Sequence, residues 1–243
     1  MSYTIKITAS DFKGNTQSLV IPIKGKKNDV LVKKEMEKTS HFFKKDEFNK
    51  ITQSNVMVAF PKQTFYNDLY FNFDYKDSVV SLHDQSVAIH KNFTLTFDIS
   101  KYTKDIRNQL FIGRKNYKGI LYYNNTRHKE DKIYTLNRIL GDYVVALDTV
   151  NPKIIPINFK NDQLLNQYRF LTFKVTDDLS GIKSYRGEID GKWILLEYDA
   201  KKGRLTFDFN DIRLEGTKHS LKVTAIDNVN NTNTYIATFY KKE

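Results

Sequence analysis

The stretch His219–Thr232, HSLKVTAIDNVNNT, lies near the end of the chain and repeats Tyr3–Thr16, YTIKITASDFKGNT, at its beginning. Both copies alternate apolar and polar residues, reach an Ala-x-Asp, turn on a Gly/Asn cluster and then resume a strand. This pattern predicts a β-hairpin in each copy. In the second copy, the hairpin would supply the last two strands of a β-sandwich. An isolated hairpin is marginal in water, so we expect the first copy to be the remnant of an upstream domain.

The composition favours strands and excludes several kinds of chemistry. The 243 residues include 15 Tyr and 17 Phe but only 10 Gly and no Cys. Abundant aromatic residues favour strands. The lack of cysteine excludes disulfides, thiol nucleophiles and cysteine metal sites. No apolar run reaches the roughly 20 residues needed to cross a bilayer, and no signal peptide is visible at the N-terminus.

The chain carries a formal net charge of +11. Most of the positive charge is lysine, and acidic residues are interspersed along almost every segment. A nucleic-acid interface would instead gather its basic residues into one stripe, usually beside a recognition motif. We therefore predict no nucleic-acid partner; attraction to an anionic polymer of the cell envelope is the alternative.

Changes in composition divide the chain into four segments. Residues 1–24 form the first hairpin. Residues 25–52 are dense in charge and are predicted to be a linker with one short strand at Val30–Val32. Residues 53–148 and 149–243 each contain several short strands with regular turns, as in a β-sandwich.

The two long segments show the alternation of half-buried strands. In the first, Leu69–Tyr75 and Phe93–Ile99 are predicted strands. In the second, Lys192–Tyr198 is predicted as one strand, and Asp190-Gly191 before it is a strong signal for a two-residue hairpin turn. The predicted fold is all-β: tandem immunoglobulin-like β-sandwiches preceded by an N-terminal β-hairpin.

Several motifs in the last hundred residues carry a family resemblance. They are DTVNP at Asp148–Pro152, TDDLSGI at Thr176–Ile182, YRGEIDGKW at Tyr185–Trp193 and the final Ala225-x-Asp227 hairpin. Together they resemble the C-terminal immunoglobulin-like region of lysostaphin-like (LytM-type) zinc metallopeptidases of Bacteroidetes.

That resemblance implies a zinc-dependent, peptidoglycan-cleaving domain upstream of such a tail. In the family, the resemblance implies, zinc is held by a His, by an Asp four residues on, and by one His of a His-x-His pair whose other His aids catalysis. The five histidines of this chain are isolated and show neither pattern, although zinc needs three or four converging ligands. We therefore expect no catalytic residues, no metal and no cofactor.

The resemblance further implies a function and a location. We expect a non-catalytic accessory tail that positions or regulates a peptidoglycan-cleaving metallopeptidase in the periplasm or cell envelope. Its partners would be peptidoglycan or another envelope polymer and an upstream or separate peptidase domain. Alternatives are a protein–protein interaction module and a stand-alone carbohydrate-binding protein.

Three aromatic residues are candidates for ligand binding. Trp193 is the only tryptophan and could stack on a sugar ring, with Tyr185 and Tyr198 nearby. The favoured of the two alternatives is a tryptophan in the sandwich core that covers the hairpin. Six further rings could form a binding face, of which alternation predicts about half to be buried: Phe65, Tyr66, Tyr70, Phe71, Phe73 and Tyr75.

Acidic and amide residues cluster in two predicted loops of the last segment. Asp177, Asp178, Asp227 and Asn228 would lie at one end of the sandwich, where an oxygen-rich cluster could hold calcium. The favoured interpretation is that they hydrogen-bond the backbone of their own turns. Asp11 and Asn15 occupy matching positions in the first hairpin, which supports this interpretation.

His83 and His90 could act as general bases. Without a nucleophile motif or an orienting partner in the sequence, we interpret them as surface or half-buried residues.

Overall fold

The computed structural model describes residues 2–26 and 38–242. The chain divides into two compact units, Met1–Glu37 and Lys38–Glu243. The predicted strand at Val30–Val32 lies outside the described residues. Where the structure describes the chain, it is all-β, with two 3₁₀ turns and no α-helix, which confirms the predicted class. No helix among the described residues is long and apolar enough to cross a membrane.

The strands are numbered in chain order. Their bounds are β1 Ser2–Ser10, β2 Thr16–Lys24, β3 His41–Phe43, β4 Asn49–Gln53, β5 Val56–Phe60, β6 Leu69–Phe71, β7 Phe73–Lys76, β8 Val79–Leu82, β9 Phe93–Asp98, β10 Leu110–Lys115, β11 Leu121–Tyr123, β12 Arg127–Lys129, β13 Lys132–Asn137, β14 Gly141–Leu147, β15 Lys153–Pro156, β16 Gln163–Leu164, β17 Phe170–Thr176, β18 Ile182–Ile189, β19 Lys192–Ile194, β20 Glu197–Asp199, β21 Arg204–Asp208, β22 Lys218–Asp227 and β23 Thr232–Tyr240. The 3₁₀ turns are Arg107–Gln109 and Phe209–Asp211.

The first unit contains the predicted hairpin. β1 and β2 pair antiparallel from Ser2 with Lys24 to Ser10 with Thr16. The second copy pairs in the same way, ending with Ile226 opposite Thr232. The copies differ in burial: residues of β1 and β2 are exposed throughout, whereas alternate residues of β22 are buried.

The first sandwich of the second unit packs two five-stranded sheets face to face. Their strand orders are β11-β10-β14-β8-β7 and β12-β13-β9-β5-β4, and β3 pairs separately with β6. Phe93, Leu95 and Phe97 alternate into the core as predicted, and Ile99 continues the row. Burial of this aromatic and aliphatic core is the main stabilising contribution.

The sandwich begins earlier than predicted, so the linker prediction over residues 25–52 is wrong for the part from residue 41 onwards. β3 and β4 lie within that segment. Phe43 is buried and stacks on Phe71 with ring centroids 4.5 Å apart, and Ile51 joins the same core. Phe43 and Ile51 stand among lysines and acidic residues in the sequence, so the pattern did not indicate that they are buried.

The predicted strand Leu69–Tyr75 is two strands. β6 pairs with β3, and β7 pairs with β8 in a different sheet. The break is at Asn72, whose backbone N–H donates to His83 Nδ1 over 3.1 Å and whose carbonyl accepts from the His83 N–H over 2.7 Å.

The second sandwich has immunoglobulin-like topology. One sheet has the order β15-β17-β21-β20 and the other β16-β23-β22-β18-β19. These orders match sheets ABED and GFCC′ of immunoglobulin domains, with β16 added parallel to β23. The core between the sheets is built from alternate residues such as Leu205 and Phe207.

The predicted strand Lys192–Tyr198 is also divided. β19 pairs with β18, whereas β20 pairs with β21 in the opposite sheet. Ile194 and Leu196 are buried on either side of the crossing. Two short strands in different sheets can show the same apolar alternation as one continuous strand. The prediction of a single strand was wrong for this reason.

Candidate functional site

The hairpin turn between β18 and β19 has the predicted geometry. Asp190 and Gly191 both adopt positive φ, 51° and 75°, as a type I′ turn requires. The Asp190 carboxylate accepts the Ser220 backbone N–H over 2.7 Å and lies 2.7 Å from Nδ1 of buried His219. The turn is therefore anchored to β22. His219 is isolated from other histidines in the sequence, and no local pattern indicates this contact across 29 residues.

Trp193 lies just past this turn and points outward. Its side chain is 58% exposed, so the alternative of a core tryptophan is wrong. The strand register places Trp193 opposite Glu188, Glu188 opposite Lys222, and Lys222 opposite Ile236. Directly opposed residues point to the same face of a sheet. The outer face therefore carries one row with an apolar residue at each end and charged residues between them.

The centre of this row is an ion-pair network. The Glu188 carboxylate accepts a hydrogen bond from Arg186 Nε over 2.8 Å, and Lys222 Nζ lies 3.6 Å from its other oxygen. The hydrogen bond from Arg186 is the main cause that lowers the pKa of Glu188, and Lys222 acts in the same direction. Beside Trp193, the protein thus presents a carboxylate acceptor and two cationic donors.

Tyr185 and Tyr198, the other two predicted binding residues, are less exposed than Trp193. Tyr185 and Trp193 line one shallow pocket of about 340 Å³ at the edge of the sheet. The Tyr198 ring packs on Tyr185 with centroids 5.4 Å apart, and both tyrosines contact the sandwich core. Trp193 and Tyr185 thus line the same pocket from opposite faces of the sheet, because Trp193 pairs with Glu188 on the outer face and Tyr185 pairs with buried Ala225. Tyr185 and Tyr198 pack against the core, so of the three predicted residues Trp193 is the exposed one.

The six aromatic residues of the first sandwich do not form the expected binding face. Phe65 and Phe71 are buried, and Phe73 and Tyr75 pack partly buried against the core. Of the six, only Tyr66 is mostly exposed. The expectation of about three exposed rings is wrong because β6 and β7 belong to different sheets.

The turn-forming interpretation is confirmed for one aspartate in each hairpin, Asp227 in the second copy and Asp11 in the first. Asp227 Oδ1 accepts the backbone N–H groups of Val229 and Asn231, and Asn231 Nδ2 donates to Asp227 Oδ2 over 2.8 Å. Asp11 and Asn15 make the same set of bonds in the first hairpin.

Of the remaining three predicted loop residues, Asp177 bonds the backbone of its own turn, whereas Asp178 and Asn228 bond other segments. Asp177 Oδ2 accepts the N–H groups of Leu179 and Gly181. Asp178 instead pairs with Lys153 at 2.6 Å. Asn228 Nδ2 donates to the Ser180 carbonyl over 2.9 Å.

A polar cleft of about 840 Å³ lies between the two sandwiches. Its lining includes amide side chains from both sandwiches, among them Gln109 and Asn125 from the first and Asn228, Asn230 and Asn231 from the second. At its base, Gln109 Nε2 donates to Asn231 Oδ1 over 2.8 Å, which joins the two sandwiches directly.

Comparison with known proteins adds a likeness for the first sandwich. Residues 40–148, which are less than half of the chain, match the Zu5-like domain family. The match starts immediately before β3. A search of curated proteins finds no match. The first sandwich is therefore similar to Zu5-like domains.

Proposed function

We propose that this chain is a non-catalytic binding module that attaches to peptidoglycan or another polymer of the cell envelope. The observation that carries the proposal is the exposure of Trp193 beside hydrogen-bonding side chains. Single exposed aromatic residues are normal on protein surfaces; what distinguishes Trp193 is that a carboxylate and two cationic groups lie beside it. An aromatic ring next to charged donors and acceptors suits a ligand with both apolar and hydroxyl-bearing surfaces.

The geometry supports a glycan chain rather than a small enclosed ligand. The pocket shared by Trp193 and Tyr185 is shallow and lies at a sheet edge. A sugar ring can lie against Trp193 while its hydroxyl groups reach the carboxylate of Glu188 and the cationic groups of Arg186 and Lys222. The net charge of +11 adds a long-range attraction to anionic polymers, which salt would screen.

The resemblance to the tails of lysostaphin-like peptidases suggests what such binding would achieve. A module that holds peptidoglycan would position an upstream or separate peptidase domain on its substrate in the periplasm or cell envelope. This part of the proposal rests on the sequence motifs alone.

A pull-down with purified peptidoglycan sacculi tests the proposal. We expect the full chain to bind at low salt and to bind more weakly at high salt. Trp193→Ala should reduce binding about fivefold, because stacking on an exposed aromatic residue contributes on the order of 1 kcal/mol. Tyr117→Ala is the matched control, because Tyr117 is an exposed ring on the other sandwich; it should bind like the wild type.

Two results would contradict the proposal. Binding that Trp193→Ala leaves unchanged would exclude the predicted face. Zymography of the same sample that shows clearing, with loss of clearing on adding a chelator, would show that the chain is an enzyme.

A second candidate function is a protein–protein interaction module. Ile236 is 66% exposed at the far end of the row from Trp193, and two apolar anchors around an ion-pair network also suit a protein partner. Salt-insensitive, saturable binding to one envelope protein, with no binding to sacculi, would favour this function.

A further inference from the structure

Three aspartates from distant segments meet where the two sandwiches join. Asp148 follows β14 at the end of the first sandwich, Asp177 follows β17, and Asp227 ends β22. One carboxylate oxygen from each lies within 4.8 Å of the others. Asp148 and Asp227 are buried, and Asp177 is half-buried.

No cationic side chain of the described residues forms an ion pair with this group, although the charge of Lys153 acts on Asp177 from nearby. Among the ion pairs of the described residues, none involves any of the three; the nearby Lys153 pairs with Asp178 instead. Concentrating buried carboxylates without a counter-charge is costly.

Backbone hydrogen bonds orient these carboxylates without supplying a full positive charge. Asp148 Oδ2 accepts the Ser180 N–H over 3.0 Å, Asp177 Oδ2 accepts the Gly181 N–H over 2.7 Å, and Asp227 Oδ1 accepts the Asn231 N–H over 2.8 Å. The second oxygens of two of the carboxylates also accept hydrogen bonds, Asp227 Oδ2 from Asn231 Nδ2 over 2.8 Å and Asp148 Oδ1 from the Val150 N–H over 3.1 Å, whereas Asp177 Oδ1 has no partner among the described residues. An ion would use the remaining lone pairs of these oxygens.

Ser180 provides an observation independent of the carboxylates. The residue is 1% exposed, and its hydroxyl has no hydrogen-bond partner among the described residues. Its own backbone N–H is bonded to Asp148, which places it at the cluster. Asp177 Oδ1 is likewise buried without a partner. Buried polar atoms without protein partners indicate a bound ion or water that completes their contacts.

We propose that Asp148, Asp177 and Asp227 bind one calcium ion at the junction of the two sandwiches, with the Ser180 hydroxyl beside it. The donors are all oxygens, which favours a hard cation over zinc or copper. Calcium–oxygen distances of about 2.3–2.6 Å place opposite ligands about 5 Å apart, which accommodates a group of this size. Magnesium would require a tighter octahedral arrangement. This inference departs from our expectation from sequence that the chain has no metal site.

The ion would connect the two sandwiches. Asp148 belongs to the end of the first, and Asp177 and Asp227 belong to loops of the second. Calcium should therefore stabilise the junction as well as the loops, independently of whether the Trp193 face binds glycan.

Titration of the chelator-treated full chain with calcium chloride, followed by calorimetry and by thermal unfolding, tests this inference. We expect one ion per chain and a rise in the unfolding midpoint with calcium concentration. Absence of both effects up to about 10 mM calcium would overturn the proposal, since weak extracellular sites bind in the millimolar range. An equal response to magnesium chloride would overturn the assignment to calcium.

Variants locate the site. Asp177→Asn and Asp227→Asn should each weaken calcium binding at least about tenfold, because affinity depends on the number of charged ligands. Asp178→Asn is the matched control, an adjacent aspartate outside the group, and should retain wild-type affinity. Unchanged calcium affinity in Asp177→Asn would contradict the proposed site. Because Asp177 is only half-buried, this variant tests the site even if Asp227→Asn does not fold.

Discussion

At the scale of single residues, the candidate binding face depends on a glycine behind it. Gly187 lies on β18 opposite Ile194, on the buried side of the sheet. A Cβ added there would lie 2.8 Å from Ile194 Cγ1 and 2.8 Å from Leu196 Cδ1. Only a residue without a side chain lets β19 pack this closely, and β19 is the strand that presents Trp193.

Gly187→Ala should therefore destabilise the chain by about 1–3 kcal/mol, the usual cost of overpacking a filled core. Chemical denaturation measures this change. Ser184→Ala, at an exposed position on the same strand, is the control and should change stability little. A Gly187→Ala variant with wild-type stability would show that β19 can move outward without cost.

At the scale of elements, Asp208 joins the end of β21 to the 3₁₀ turn Phe209–Asp211. Its carboxylate accepts the Asn210 N–H over 2.9 Å and pairs with Arg169 at 3.1 Å. The Asn210 hydrogen bond is the largest cause that lowers the Asp208 pKa below its ordinary value of 3.8, and Arg169 contributes further.

The folded state lowers the pKa of Asp208, so the ionised Asp208 carboxylate stabilises the fold. This stabilisation is fully present at pH values above the ordinary pKa of 3.8, and it is lost as the pH falls through the lower pKa of the folded state. Asp208→Asn should make the thermal midpoint less sensitive to acid as the pH falls through 3.8 and below it, whereas the two proteins should respond alike to changes of pH near neutrality. Arg169→Gln should retain most of the acid sensitivity, since the backbone bond is the larger cause. Identical pH profiles for wild type and Asp208→Asn would refute this assignment.

At the scale of the whole molecule, Asn231 joins the two sandwiches. Its Oδ1 accepts from Gln109, and its Nδ2 donates to the Asp148 carbonyl over 2.9 Å and to Asp227. The first sandwich, the connecting segment and the second sandwich thus meet at one buried amide.

Asn231→Ala should destabilise the chain by about 1–3 kcal/mol, because it leaves buried polar groups unpaired, and should speed proteolysis between residues 148 and 153. Thermal unfolding and timed digestion measure both effects. Asn15→Ala removes the matching bond to Asp11 in the exposed first hairpin and should have little effect on the unfolding of residues 38–243. Equal effects of the two variants would contradict a role for Asn231 at the junction.

Local patterns predicted much of the fold. Alternation identified β9 from Phe93 to within one residue of its observed end, the Asp190-Gly191 turn followed from its residue types, and the repeat predicted two hairpins. These features depend on neighbouring residues, so the local sequence contains the necessary information.

The tertiary structure decided where chain segments change sheets and which residues meet across long separations. The alternation of Leu69–Tyr75 and Lys192–Tyr198 is the same for one strand as for two in different sheets. The exposure of Trp193 depends on β19 lying at a sheet edge, and the contact of Asp148 with Asp177 and Asp227 depends on the packing of two sandwiches. Sequence alone determined an all-β chain with repeated hairpins; the packing of distant strands determined its surfaces and its acidic junction, because burial is set by neighbours in space.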